Sequence, residues 1–309
     1  MSERVIYFNS EFVPAAEARI SIFDSSLFFG DMVFEATRSF SQKPFRLREH
    51  LERLYASLRY VEIDCGLTID EMEAATHETI ERNLPVLEGL DYRILHNVTR
   101  GVVPPYQSEV KEGSQPTVLI DVMSLTRHLA LLLPEYENGI HFVVPVQKSI
   151  PSRYMDPKAK TRCRIHYKLA DLQADRIDKG AYALLTDERG FITEGTASNF
   201  FIARDGEIFT PRPHEILRGV SRQFCMELAD KLEIPLRETD IEPYDVRIAD
   251  EAWRTSTNPC MTPITRFEFN PVGDGKPGPI YRKLLETWSE AVGVDIPGQA
   301  REYAELARG

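Results

Sequence analysis

The sequence predicts two α/β domains in tandem, and three observations carry that reading. A chain of 309 residues can bury two ordinary hydrophobic cores. Short alternating apolar runs interleave with segments of helical period along most of its length. The patterning breaks over 125–138, where Pro134 and Gly139 close an aperiodic stretch. The division that follows is 1–124 for a small N-terminal α/β domain, 125–137 for a linker and 138–309 for a larger C-terminal domain.

Each element has its own signal. Residues 5–13 read as a hairpin turning at Asn9-Ser10, and 33–40 and 45–47 as further strand around a loop at 41–44. Leu47, Leu51, Leu54 and Leu58 recur at helical spacing and mark an amphipathic helix over 48–60. A second helix covers 68–83 and is expected to stop before Pro85. The runs 93–100 and 117–123 fit strands. Past the linker, 140–146 is a strand, 167–179 a helix ended by Gly180, and 181–185 with 191–193 a strand pair. Asp205-Gly206 joins 199–203 to 207–209 in a hairpin. Phe224, Cys225, Leu228 and Leu232 share one face of a helix over 221–232, and the last helix is placed at 280–292.

Composition narrows the function classes. Asp and Glu number 48 against 37 Lys and Arg, a net charge of −11. Such a surface repels a phosphate backbone, so a nucleic-acid partner is not expected. No run approaches the roughly 20 apolar residues that span a bilayer, so neither is a membrane. Met1-Ser2-Glu3-Arg4 leads directly into a strand pattern without an apolar h-region, which predicts no secretory signal. Cys65, Cys163, Cys225 and Cys260 form no CxxC pair, and no histidine cluster has ligand spacing. Free thiols, no metal site and a cytoplasmic location are the expectation.

Four local features carry chemistry. Thr193-Glu194-Gly195-Thr196-Ala197-Ser198-Asn199 puts a carboxylate before Gly and small residues between two strands, which lets a charge enter a cleft while the backbone turns; a polar loop is the plain alternative. Leu217-Arg218-Gly219-Val220-Ser221 opens a helix whose free N–H groups suit a phosphate, though Ser221 is equally a good N-cap. Ser256-Thr257-Asn258-Pro259 sets hydroxyls beside a turn. Arg53 lies near the start of a helix, where a solvated face is the ordinary home of an arginine.

These residues carry a resemblance. The run 29–38 (FGDMVFEATR), HLERL at 50–54, EGTASN at 194–199, LRGVS at 217–221 and STNPCMTPI at 256–264 recur in this order in class IV, fold-type IV, pyridoxal-phosphate aminotransferases. Branched-chain and D-amino-acid aminotransferases, (R)-selective amine transaminases and aminodeoxychorismate lyase belong to that group. The resemblance implies a small α/β domain, a larger C-terminal pseudo-barrel and a homodimer. It implies pyridoxal 5'-phosphate as cofactor, with Glu194 at the ring nitrogen and Leu217 against a ring face. Arg53, Val220, Ser221, Ser256 and Thr257 are implied to hold the phosphate.

The cofactor-bearing lysine is harder to place. The family's spacing before the glutamate falls on 160–162, where Lys160 and Arg162 stand. Asp156-Pro157-Lys158-Ala159-Lys160 resembles the D-P-x-x-K approach of the (R)-amine enzymes and favours Lys160. Tyr167 matches the family's tyrosine near the cofactor oxygen only with two residues inserted after Lys160. Lys168 falls nearly two helical turns too close to Glu194, and a chain with no cofactor-bearing lysine stays open.

On the substrate side, Arg93 resembles the strand arginine that holds a carboxylate in the branched-chain enzymes, although Tyr92 is adjacent to it. Backbone N–H groups after Thr257, at Asn258, would assist. Where D-amino-acid enzymes carry Arg and His, this chain has Pro105 and Gln107. The expected activity is amino transfer from an apolar, branched-chain-type L-amino acid to 2-oxoglutarate. An (R)-amine transaminase, an aminodeoxychorismate-lyase-like enzyme and a non-catalytic relative are the alternatives.

Overall fold

The Asn9-Ser10 turn folds with both residues at positive φ, 49° and 71°, and returns β1 (Val5–Phe8) antiparallel onto β2 (Glu11–Pro14). Turns of that hand match the twist of the strands they join. A computed structural model describes residues 3–110 and 115–308; Met1 and Ser2, the start of the N-terminal run read above, lie outside the described residues, as do 111–114 and 309. The chain divides into two units, Met1–Leu125 with Ala159–Arg164, and Thr126–Lys158 with Ile165–Gly309.

The first unit continues with α1 (Ser25–Phe29), β3 (Met32–Phe40), β4 (Lys43–Pro44), α2 (Leu47–Tyr60), α3 (Ile69–Leu87), β5 (Tyr92–Thr99) and β6 (Thr117–Ser124). Its sheet is antiparallel in the order β2-β1-β6-β5-β3-β4. Leu47, Leu51, Leu54 and Leu58 of α2 and Met72 and Ile80 of α3 pack against Tyr92, Ile94 and Val98 of β5 and Val118, Ile120 and Val122 of β6. Arg93, Leu95 and Asn97 alternate with the buried residues of β5 and point to the opposite face. A capping box at Thr68 and Glu71 starts α3, which runs through Pro85 to Leu87 instead of stopping before the proline. Pro85 is exposed, so water serves the carbonyl that its missing N–H leaves, while buried Leu87 holds the last turn. Residues 159–164 return to this unit as an edge partner of β3. Val33 pairs with Thr161, Phe34 N–H donates to Lys160 O at 3.0 Å, and Arg162 N–H to Met32 O at 2.7 Å.

The second unit holds α4 (Thr126–Asn138), β7 (Ile140–Val143), α5 (Ile165–Ile177), β8 (Tyr182–Thr186), β9 (Ile192–Gly195), β10 (Asn199–Arg204), β11 (Glu207–Pro211) and α6 (Val220–Lys231). It ends with β12 (Leu236–Thr239), α7 (Pro243–Arg247), β13 (Glu251–Ser256), β14 (Cys260–Phe267), β15 (Asn270–Pro271), α8 (Pro279–Val292) and α9 (Ile296–Leu306). The sheet runs β12-β11-β10-β13-β14-β7-β8-β9, with β15 on β14. β9 turns directly back towards β10 through a bridge between Gly195 and Ser198, so the sheet curls into a half-barrel. Phe142, Leu184, Ile192, Phe200, Ile202 and Ile264 fill its core.

The linker and the last helix differ from expectation, while the hydroxyl-rich stretch stands beside a turn as read. The segment 125–137, read as a linker, lies in helix α4, because Leu129, Leu132 and Tyr136 fall on one buried stripe and Pro134 sits on the exposed side. The hydroxyl-rich stretch around 256 is a hairpin of two long strands, with a turn over 257–259 and Cys260 at φ 61°. Helix α9 follows the helix placed last, and α4 packs on it. Among the described residues no helix is long and apolar enough to cross a membrane.

Leu54 is fully buried in the first unit's core. Leu54→Ala is expected to lower the unfolding free energy by about 2–5 kcal/mol, read as a shift in urea midpoint.

Candidate active site

In the second unit the site is built around Glu194, at the end of β9 and 5% exposed. Three donors converge on its carboxylate. Tyr167 Oη on α5 donates to Oε1 at 2.8 Å, Asn199 Nδ2 to Oε2 at 3.2 Å, and Leu217 N–H to Oε2 at 3.0 Å. Burying a carboxylate without such donors costs several kcal/mol. Asn199 Nδ2 also reaches Leu217 O at 2.8 Å, which ties the loop after β11 to the start of β10.

From Leu217 the chain runs through Arg218 into α6. Its N-cap, Gly219, supplies no side-chain cap to the first N–H groups of the helix. A Cβ at Gly219 would stand 2.1 Å from Asn199 Oδ1, so a side chain there would push this helix start away from Asn199. Thr255 pairs with Asn199 across β13 and β10, which sets Ser256, Thr257 and Asn258 at the same end of the sheet. Tyr136 of α4 fixes their turn by donating to Pro259 O at 2.6 Å. The second unit therefore gathers Tyr167, Glu194, Leu217, Val220, Ser221, Ser256, Thr257 and Asn258 at one sheet end.

In the first unit, Arg53 is not on a solvated face: its side chain is 11% exposed. Nε donates to Glu35 Oε2 and Nη2 to Oε1, both at 2.7 Å, a bidentate pair with a fully buried carboxylate. His50 Nδ1 lies 3.1 Å from the same oxygen, and Ala36 N–H donates to it at 2.8 Å. Burial would raise the Glu35 pKa, but Arg53 and His50 hold it well below the usual carboxylate range. Burial pushes His50 below its ordinary value against the pull of Glu35, and takes His96 down to about 4.

Lys160 is fixed through its backbone. Its N–H donates to Ser57 Oγ at 3.0 Å, and that hydroxyl donates to Arg53 O at 2.9 Å, so the 159–164 segment and helix α2 are joined beside Arg53. Lys160 Nζ lies 4.8 Å from the centre of the Phe34 ring. Lys168 is exposed on α5 of the other unit. Arg93 is half-buried on β5, with Met123 Sδ at 3.7 Å. The sequence alone does not single out Glu35, His50 or the side chain of Asn199. An acid flanked by Val33, Phe34 and Ala36 in a strand-like run is the available signal for Glu35.

A buried carboxylate under three donors beside an uncapped helix start suits a ligand that presents a ring N–H and an anionic group. The amino-transferase class IV profile matches residues 32–267. The "Putative branched-chain-amino-acid aminotransferase" of Methanocaldococcus jannaschii is 31% identical over 288 residues, covering 92% of this chain and 95% of its own. The D-alanine aminotransferase of Staphylococcus haemolyticus is 28% identical, covering 93% and 97%. The T.th. branched-chain amino acid aminotransferase complexed with N-(5'-phosphopyridoxyl)-L-glutamate has a TM-score of 0.83 at 27% identity, over 98% of this chain and 97% of that one. The fold and these likenesses define a pyridoxal 5'-phosphate-dependent enzyme of fold type IV. The chain belongs to the class IV aminotransferase family.

The residues present fit that cofactor. Glu194 offers a fixed acceptor, the glycine at 219 opens a helix start to an anion, and Ser221 and Thr257 add hydroxyls at the same sheet end.

The depressed Glu35 pKa fixes a sign. Its stabilisation is complete above the unfolded value near 4.5 and is lost as pH falls through the lower folded value. Glu35→Gln is expected to destabilise the protein by about 3–5 kcal/mol at neutral pH. Urea unfolding across pH should show the gap to wild type closing only below that range.

Proposed function

We propose that the enzyme moves an amino group from an apolar, branched-chain-type L-amino acid to 2-oxoglutarate. The observation that carries the reading is the Glu194 carboxylate with its three donors, read beside relatives named for branched-chain substrates. The cofactor, when bound, supplies an electron sink for the substrate Cα–H bond. Glu194 holds a proton at the ring nitrogen, and Tyr167 and Asn199 hold Glu194 in place. Arg53, oriented by Glu35, anchors the phosphate together with Val220, Ser221, Ser256 and Thr257, and Leu217 lies against the ring. Lys160 carries the cofactor on its amine and moves the Cα proton. Arg93 and the backbone at Asn258 hold the substrate carboxylate. Pro105 and Gln107 argue against a D-amino-acid substrate, and the family resemblance supports a homodimer.

Two experiments test the roles. Borohydride reduction and peptide mapping are expected to find the pyridoxyl label on Lys160, and Lys160→Ala to abolish it. Label on Lys168 would overturn the assignment. Glu194→Gln is expected to retain the cofactor while slowing both half-reactions by orders of magnitude; unchanged single-turnover rates with L-leucine would remove Glu194 from the ring nitrogen.

A further inference from the structure

A buried carboxylate has room for few donors, and the oxygen each one takes decides where the next can enter. Leu217 N–H and Asn199 Nδ2 both donate to Oε2 of Glu194, at 3.0 and 3.2 Å. A carboxylate oxygen offers two lone pairs, so these contacts fill Oε2. Tyr167 takes the other oxygen: its Oη donates to Oε1 at 2.8 Å, the shortest of the three contacts.

Tyr167 is held in that position. Its side chain packs on the buried cluster that includes Ala170, Ala174 and Leu185, and the His166 ring centre lies 4.1 Å from its own. One turn further along α5, Asp171 Oδ1 accepts from Thr196 Oγ1 at 2.8 Å. Residues four apart share a helix face, so α5 meets the 194–199 segment at two points on one face. A ring N–H that arrives at Glu194 is therefore directed to Oε1, where the tyrosine already donates. Each donor stabilises the charge of the carboxylate and leaves less of it for the next.

We propose that Tyr167 attenuates Glu194: its hydroxyl and the cofactor's ring nitrogen share Oε1, so the tyrosine sets how firmly Glu194 holds the ring proton. This rests on the ring-nitrogen role given to Glu194 above. It puts the Tyr167 hydroxyl at the carboxylate, in contrast to the family's tyrosine near the cofactor oxygen. Tyr167 acts through Glu194 and is a positioning residue. A looser hold on the ring proton makes a weaker electron sink, so Tyr167 tunes the reaction without touching the substrate.

Pyridoxamine 5'-phosphate tests this without turnover and without covalent attachment, because its amine does not condense with a lysine. Its 1-deaza analogue carries C–H in place of the ring nitrogen and gives Glu194 no proton to hold. Calorimetric titration of the cofactor-depleted protein with each gives the ratio of the two dissociation constants, analogue over cofactor. Wild type is expected to prefer the ligand with the ring nitrogen. Tyr167→Phe is expected to raise the ratio about threefold to tenfold, the size of coupling between groups that share a partner. A general loss of packing weakens both ligands and cancels in the ratio. Replacing Tyr167 with 3-fluorotyrosine, a stronger donor of nearly the same shape, is expected to lower the ratio, and it decides the matter if the Phe variant fails to fold. A ratio that Tyr167→Phe leaves unchanged or lowers, or that the fluorinated residue does not lower, overturns the proposal; an unchanged ratio with both ligands weakened is the result if the hydroxyl meets the cofactor's phenolic oxygen instead. A wild type that does not distinguish the two ligands overturns the ring-nitrogen role of Glu194 as well.

Discussion

Taking a carboxylate out of water costs several kcal/mol unless donors replace the water, and each unit is organised around one such group. In the second unit Glu194 draws a tyrosine from α5, an asparagine from β10 and a backbone N–H from the loop before α6. Each donor comes from a different stretch of chain, so satisfying one side chain brings three elements to one end of the half-barrel. In the first unit Glu35 draws both Arg53 and His50, three positions apart on one face of α2, onto β3. A side chain that would otherwise reach for solvent is thus held in one orientation. The same demand explains Gly219: the Asn199 amide that serves Glu194 leaves no space for a Cβ at the helix start beside it.

Charge acts differently at long and short range. A net charge of −11 disfavours the approach of anions to the molecule as a whole. Around Phe34 the sign is reversed by a lysine and two arginines from the 159–164 segment, with Arg93 on the same face of β5 as Asn97, the partner of Phe34. A local cluster overrides a global field over about one Debye length, roughly 8 Å at physiological salt. Anionic substrates would then be captured by contact at the cluster more than by steering from afar.

Most elements with strict periodicity are legible in the sequence. Helix α2, the Asn9-Ser10 and Asp205-Gly206 turns and the strands around Glu194 follow from spacing and turn chemistry alone. Two misreadings share a cause: Pro85 and Pro134 read as breakers, whereas each lies on an exposed face where the lost hydrogen bond is cheap and neighbouring apolar residues hold the helix. Helix α4 is more than a connection, since Glu135 accepts from both Arg254 and Tyr182, and Tyr136 holds the turn at Pro259. These long-range partners leave no trace in local pattern. Of the candidate site, Glu194, Arg53 and the α6 start are legible as motifs, but the acid behind Arg53 and the amide behind Glu194 are not. A partner from a distant strand has no fixed spacing to reveal it.

The segment around Lys160 meets β3 at a single bridge, Val33 with Thr161. Phe34 N–H donates to Lys160 O and Arg162 N–H to Met32 O, while Thr161 and Arg164 donate within the segment to Ala159 O and Arg162 O. Because Val33 pairs with Thr161, the pairing with β3 fixes which side Lys160 faces, and Arg162 and Arg164 inherit it. Lys160, Arg162 and Arg164 all stand around the ring of Phe34. Beyond Arg164 the chain enters α5, where Tyr167 serves Glu194. One bridge to β3 and one helix start thus separate the cations over Phe34 from the tyrosine that serves Glu194.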